Sequence, residues 1–137
     1  MIQMLDVFLA EDNSGDVHLV REALTQAGLR YQLHLATDGE AGLVMVGQFG
    51  LELPCPHVAL LDLNMPRQDG SELLKRLREH PRCAHMPIVI LTSSDVFANR
   101  RLAADYDAVF FRKPLDLGEF FEIGNTVKDL CRQPEAN

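Results

Sequence analysis

An α/β fold built on one open, doubly wound parallel sheet is what this sequence predicts. Three observations lead there. Five short apolar runs alternate with longer segments whose apolar residues recur at helical spacing. Strand and helix signals that alternate along one chain imply parallel pairing, because parallel strands need a crossover and the crossover is a helix. The 137 residues suffice for one domain and leave no room for a second of ordinary size.

The elements follow in order. Residues 4–10 (MLDVFLA) predict the first strand, interrupted by Asp6. Asn13 or Ser14 can cap the next helix, where Val17, Val20, Leu24 and Ala27 share a face and Gly28 supplies the stop. Residues 31–36 (YQLHLA) alternate, as a half-buried edge strand does. Asp38-Gly39 reads as a turn, and residues 40–49 as a weaker helix, since Gly42 and Gly47 lower its propensity. Residues 51–56 carry two prolines and read as a loop. Residues 58–61 (VALL) are continuously apolar, as a strand covered on both faces is. Asp69-Gly70 marks a second turn. Leu73, Leu74 and Leu77 then line one helix face, opposite Lys75, Arg76, Arg78 and Glu79, and Pro81 ends the helix. Residues 87–91 (PIVIL) predict the fourth strand, 95–104 a short helix and 108–111 (AVFF) the fifth strand. Asp116 caps a last helix with Leu117, Phe120, Phe121, Val127 and Cys131 inward. The domain thus spans residues 1–131, with 132–137 a flexible tail.

Composition excludes several functions. Hydrophobic residues make up 47% and charged residues 24%, which argues against disorder. The net charge of −7 lacks the basic surface that displaces counterions from nucleic acid, so direct nucleic-acid binding is not expected. Cys55, Cys83 and Cys131 are odd in number, far apart and without a C-x-x-C, which argues against disulfides and a zinc ribbon and suits a reducing compartment. The N-terminus has no basic region, and no apolar run nears the ~20 residues a membrane span needs. A cytoplasmic protein with no membrane partner is expected.

Open parallel sheets bind ligands beyond the carboxyl ends of their strands. Glu11 and Asp12 follow the first strand, Asp62 and Asn64 the third, Thr92 the fourth, and Lys113-Pro114 the fifth. The fold gathers these residues on one rim. Three carboxylates brought together repel one another, and a hard divalent cation held by oxygen ligands relieves this. Such a cation also takes up the charge of an incoming phosphoryl group, with the Lys113 amine and the Thr92 hydroxyl beside it. Asp62 would be the nucleophile, forming an acyl phosphate.

In this arrangement the chain resembles the response-regulator receiver domain of two-component signalling, over about the first 130 residues. The resemblance implies a flavodoxin-like (βα)5 sheet in the order 2-1-3-4-5. It implies Mg2+ (or Mn2+) held by Glu11, Asp12, Asp62 and the Asn64 backbone carbonyl. Asp62, within LLDLNMPRQDG, is then the phosphoacceptor, Thr92 and Phe110 the switch pair, Lys113 the phosphate-pairing lysine, and Pro114 joined to Lys113 through a cis peptide. The implied function is a single-domain response regulator, not a turnover enzyme. It accepts a phosphoryl group from a sensor histidine kinase and switches a partner-binding or dimerisation face formed by the fourth helix, fifth strand and fifth helix, or relays the group onward. EDNSGD and DVFANRR resemble a subgroup of stand-alone receivers paired with bacterial phytochrome kinases. Asp105-Tyr106-Asp107 departs from the family's usual glycine-containing turn before the fifth strand, and Phe110 lacks a hydroxyl, so its inward state rests on burial.

Other readings fit less well. Alone, Asp62 would read as a loop cap, Lys113 as a surface lysine and Phe110 as core. An aspartyl-phosphate phosphohydrolase of the haloacid-dehalogenase type needs a second Asp where Asn64 stands. A flavodoxin-like FMN protein needs a Ser/Thr/Gly-rich phosphate loop after the first strand, where Glu11-Asp12 would repel the phosphate without a metal. A degenerate binding module would not keep every chemical group. His80, Cys83 and His85 read as a solvated loop rather than a zinc site; His18, His34 and His57 as packing or surface residues; and Arg67, Arg76, Arg78, Arg100 and Arg101 as solvated faces. Val96, Phe97, Leu102, Phe111 and Phe120 are candidates for an exposed partner or dimer surface.

Overall fold

Parallel pairing runs through the whole sheet. The structure, a computed structural model, describes residues 4–65, 70–93, 97–114 and 116–131. The strands are β1 (Leu5–Ala10), β2 (Tyr31–Ala36), β3 (Val58–Asp62), β4 (Ile88–Thr92) and β5 (Val109–Arg112), in the order β2-β1-β3-β4-β5. The helices are α1 (Ser14–Gln26), α2 (Gly39–Gln48), α3 (Gly70–Arg78), α4 (Phe97–Asp105), α5 (Leu117–Phe120) and α6 (Glu122–Leu130). The doubly wound architecture and its strand order are those expected. The expected tail, 132–137, lies outside the described residues.

Strand alternation divides the core in two. Phe8, Ala59, Leu61, Ile88 and Ile90 face Phe49, Leu73, Leu74 and Leu77, with Phe8 and Phe49 meeting edge to face at 5.1 Å. Val7, Leu9, Leu60, Val89 and Leu91 face Val17, Val20, Leu24, Ile123 and Val127. Each fully buried Leu or Ile contributes roughly 1.5–3 kcal/mol. β3 and β4 are covered on both faces and buried at every residue, whereas the edge strands β2 and β5 are half-exposed. Carboxylate and amide side chains start the helices: Asn13 Oδ1 accepts from the Asp16 amide, Asp38 Oδ1 from Ala41, and Asp116 Oδ1 from Glu119.

The last helix is two helices, broken at Phe121. Three residues on, Gly124 meets α1 so closely that a Cβ there would lie 2.2 Å from the Ala23 carbonyl oxygen. Leu117 is exposed rather than inward, and Phe120 is core rather than surface. Of the other candidates for an apolar surface, Leu102 and Phe111 are half-buried; Val96 and the Phe97 side chain lie outside the described residues.

The amino-terminal rim of the sheet holds three corrections. Cys55 and Cys83 form a disulfide, Cα atoms 5.5 Å apart, which overturns the expectation from cysteine number and removes its argument for a reducing compartment. The two lie 28 residues apart in loops that converge only because β3 and β4 are neighbours. His80 is buried rather than solvated: Nε2 donates to the Val46 carbonyl, and Nδ1 accepts from the Arg82 and Cys83 amides. Arg78 is not part of a solvated face. Its guanidinium donates to the carbonyls of Tyr106 (2.7 Å), Asp107 (2.8 Å), Ala84 (3.1 Å) and Met86 (2.5 Å), joining the segments that precede β5 and β4. Asp107, in the turn that lacks a glycine, adopts φ 53° itself. Asp6, the break in the first strand, hydrogen-bonds His34 Nε2 at 3.0 Å, while its amide donates to His57 Nδ1.

Candidate functional site

Register brings four strand ends together. Ala10 pairs with Leu61, Asp62 with Leu91, and Thr92 with Arg112. Two backbone bonds extend the ladders by one residue, Glu11 N to Ala36 O (3.0 Å) and Lys113 N to Thr92 O (2.8 Å). Glu11, Asp62, Thr92 and Lys113 therefore sit side by side, as the sequence predicts. Gly70 closes in from α3: a Cβ there would lie 2.6 Å from the Asp62 carbonyl oxygen and 2.7 Å from the Leu63 Cα. Only glycine allows this approach, so Gly70, the first residue of α3, shapes the Asp62 loop; Asp69, its partner in the expected turn, lies outside the described residues.

Glu11, Asp12 and Asp62 each offer a carboxylate oxygen within 4.8 Å of the other two. Glu11 and Asp62 are buried and Asp12 is exposed, so the cluster opens to solvent on one side. This donor set suits a hard divalent cation, which takes carboxylate oxygens and keeps several waters. The Asn64 amide donates to Asp62 Oδ1 (3.0 Å), and the Asn64 side-chain amide donates to Thr92 Oγ1 (3.3 Å). Thr92 is fully buried. One residue thus spans both sides of the pocket.

Lys113 is the local counter-charge. Its Nζ donates to Glu11 Oε1 (2.5 Å) and Asp16 Oδ2 (2.8 Å), and lies 3.6 Å from Asp62 Oδ2. Burial raises the Glu11 carboxyl to about 7, with the hydrogen bond to Asp62 adding to the rise and Lys113 opposing it. Burial lowers the Lys113 amine, but its bonds to Asp16 and Glu11 and the charges of Glu11 and Asp62 outweigh this and hold it above its ordinary value. Asp16 carries no motif that marks it as functional. Its only signal is its place in a helical first turn just after the acidic pair.

Phe110 is half-buried on β5, and the Arg100 guanidinium lies over its ring, 4.7 Å from the centroid. Burial is therefore not its sole support, and Arg100 is more than a solvated residue. No cis peptide bond occurs among the described residues, so the expected cis Lys113–Pro114 bond is trans. The trans form is the lower in energy for an X–Pro bond, by about 0.5–1 kcal/mol.

The arrangement can bring a carboxylate nucleophile, an ammonium and a hydroxyl to one phosphoryl group. Comparisons with known proteins point the same way. Residues 7–123 match the response regulator receiver domain family. The chain is 32% identical to the response regulator Rcp1 of Synechocystis sp. over 123 residues, covering 85% of this chain and 82% of that protein. The crystal structure of the Mn(2+)-bound form of Rcp1 superposes with a TM-score of 0.80 at 28% identity, covering 91% of this chain and 92% of the other. The phosphorylated cyanobacterial phytochrome response regulator RcpA superposes with a TM-score of 0.82 at 27% identity, covering 93% of each chain.

Proposed function

The chain belongs to the response regulator receiver family, and from that premise we propose that Asp62 accepts a phosphoryl group from a sensor histidine kinase. The observation that carries this reading is the buried Asp62 carboxylate between Glu11, Asp12 and Lys113. An Asp62 carboxylate oxygen attacks the phosphorus of phosphohistidine. The phosphorus–nitrogen bond breaks, its electron pair returns to the imidazole, and an aspartyl phosphate forms.

Glu11, Asp12, Asp62 and the Asn64 carbonyl would hold Mg2+, or Mn2+ as in the Rcp1 structure of that form. Bound there, the cation neutralises charge on the transferring phosphoryl oxygens. Lys113 supplies a second positive charge to that group, and Thr92 donates its hydroxyl to it. Moving Thr92 draws on its bond with Asn64 and changes the packing beside Phe110, which is how a charge at Asp62 reaches the face of α4, β5 and α5. That face then changes its affinity for a protein partner or a second copy. The likeness to RcpA, a phytochrome response regulator, supports a phytochrome as the kinase. Such a chain works in the cytoplasm and turns over no substrate beyond its own aspartyl phosphate.

Intact mass after exposure to acetyl phosphate tests this. A single phosphoryl adduct that needs Mg2+ and vanishes in Asp62→Asn is the expected result. An adduct retained by Asp62→Asn, or none in the wild type with its kinase supplied, overturns the assignment.

A further inference from the structure

Lys113 has three N–H donors. In this structure two are used, on Glu11 Oε1 and Asp16 Oδ2, while Asp62 Oδ2 at 3.6 Å is beyond hydrogen-bond reach. The amine is therefore held toward α1. Asp16 is well fixed for this. Its backbone amide is bound by the cap residue Asn13, which sets its place in the first turn of a 13-residue helix, and its carboxylate lies at the helix end that favours negative charge. The Lys113 side chain is 11% exposed and the Asp16 side chain 25%, so water screens the pair only in part. Glu11 differs from Asp16 in one respect. It belongs to the acidic cluster around Asp62, and its charge is shared with whatever that cluster binds. Asp16 is not in that cluster, so its grip on Lys113 persists when the cluster is filled.

We propose that Asp16 is a positioning residue that holds Lys113 in the resting state and competes with the phosphoryl group for it. This rests on the reading of Asp62 as the phosphoacceptor. Forming the phosphorylated state then requires Lys113 to leave Asp16 for a phosphoryl oxygen. Asp16 sets how readily that happens, without touching the reacting atoms. No bond other than a hydrogen bond is exchanged in this step: one N–H moves from a carboxylate oxygen to a phosphoryl oxygen, and the proton stays on nitrogen.

Beryllofluoride, a stable mimic of the phosphoryl group, tests this at saturating Mg2+. Asp16→Asn keeps the shape and removes the charge. Affinity measured by calorimetry is expected to tighten roughly two- to five-fold, the range for a partly exposed ion pair. A charge acting merely through space would do the same, so the measurement is repeated in a Lys113→Gln background. If Asp16 acts through Lys113, Asp16→Asn changes nothing there. Equal tightening in both backgrounds overturns the proposal, as does no change or weakening in the first. Crystal structures with and without beryllofluoride give an independent reading should Lys113→Gln bind none. Lys113 Nζ is expected on the mimic and out of reach of Asp16 in the bound form; an intact Lys113–Asp16 bond there overturns the proposal. Failure of the wild type to bind beryllofluoride at Asp62 overturns the phosphoacceptor reading itself, and is told apart by Asp62→Asn behaving like the wild type.

Discussion

Gly124 of α6 and Ala23 of α1 are in backbone contact: a Cβ on Gly124 would fall 2.2 Å from the Ala23 carbonyl oxygen and 2.8 Å from its carbon. Neither backbone can yield without moving a whole helix. Gly124→Ala is therefore expected to destabilise the fold by about 2–3 kcal/mol, the upper part of the range for overpacking. A urea titration checks it. An unchanged midpoint would mean that the two helices separate freely.

Arg78 stands on the helix face that patterning marks as solvent, yet its guanidinium bonds four backbone carbonyls. Lysine keeps the charge and loses the fork. Arg78→Lys should cost about 2–4 kcal/mol, because carbonyls in two segments lose their donors. Chemical denaturation reads this directly, and a loss below half a kcal/mol would assign those carbonyls to water.

Asp107 adopts a positive φ that costs an L-residue energy and glycine almost none. Asp107→Gly is expected to raise stability by about 0.5–1 kcal/mol, since its backbone bond to Arg78 needs no side chain. A fall in thermal midpoint would show that the carboxylate itself holds the turn, through the charge of Arg78.

The Cys55–Cys83 link closes a loop spanning 28 positions. Chain entropy puts its stabilisation at about 3–4 kcal/mol at most. Intact mass under non-reducing conditions should be lower by two hydrogens, and reduction should lower the denaturation midpoint. A mass matching three free thiols would remove the link.

Cys131 is the third thiol, and burial raises it to about 11. An unfolded chain loses this proton near the ordinary value of 9.0, so it binds fewer protons than the native state above that pH. The stability this thiol contributes is present below pH 9 and is lost as pH rises toward 11. Alkylation of native protein by iodoacetamide should keep accelerating across that window, while a free cysteine has levelled off. A plateau near pH 9 would place the thiol in water.

Periodicity predicts the strands, the helices and their alternation, because core residues such as Leu73, Leu74 and Leu77 must repeat at the period of their element, while the strand order is read from the family resemblance. The strand ends then placed Glu11, Asp62, Thr92 and Lys113 on one rim, since chemistry-bearing residues stand out against apolar runs. Asp16 escaped notice because its partner lies 97 residues away and an acid in a first turn is already explained by the helix dipole. Arg78 looked like every other charge on its face, and its carbonyl partners leave no trace in residue type. Cys55 and Cys83 come together through strand adjacency, which no cysteine spacing reports.

The Cys55–Cys83 link, the His80 bonds and the Arg78 fork all fasten segments that lead into β3, β4 and β5. The acidic pocket sits at the other end of those same strands. A machine that swings at one end needs an anchored frame at the other. Here the frame is covalent on one side and guanidinium-knotted on the other, so in the proposed switch the work done at Asp62 is not absorbed at the base. On the proposed reading it is passed sideways, toward Phe110 beneath the Arg100 guanidinium.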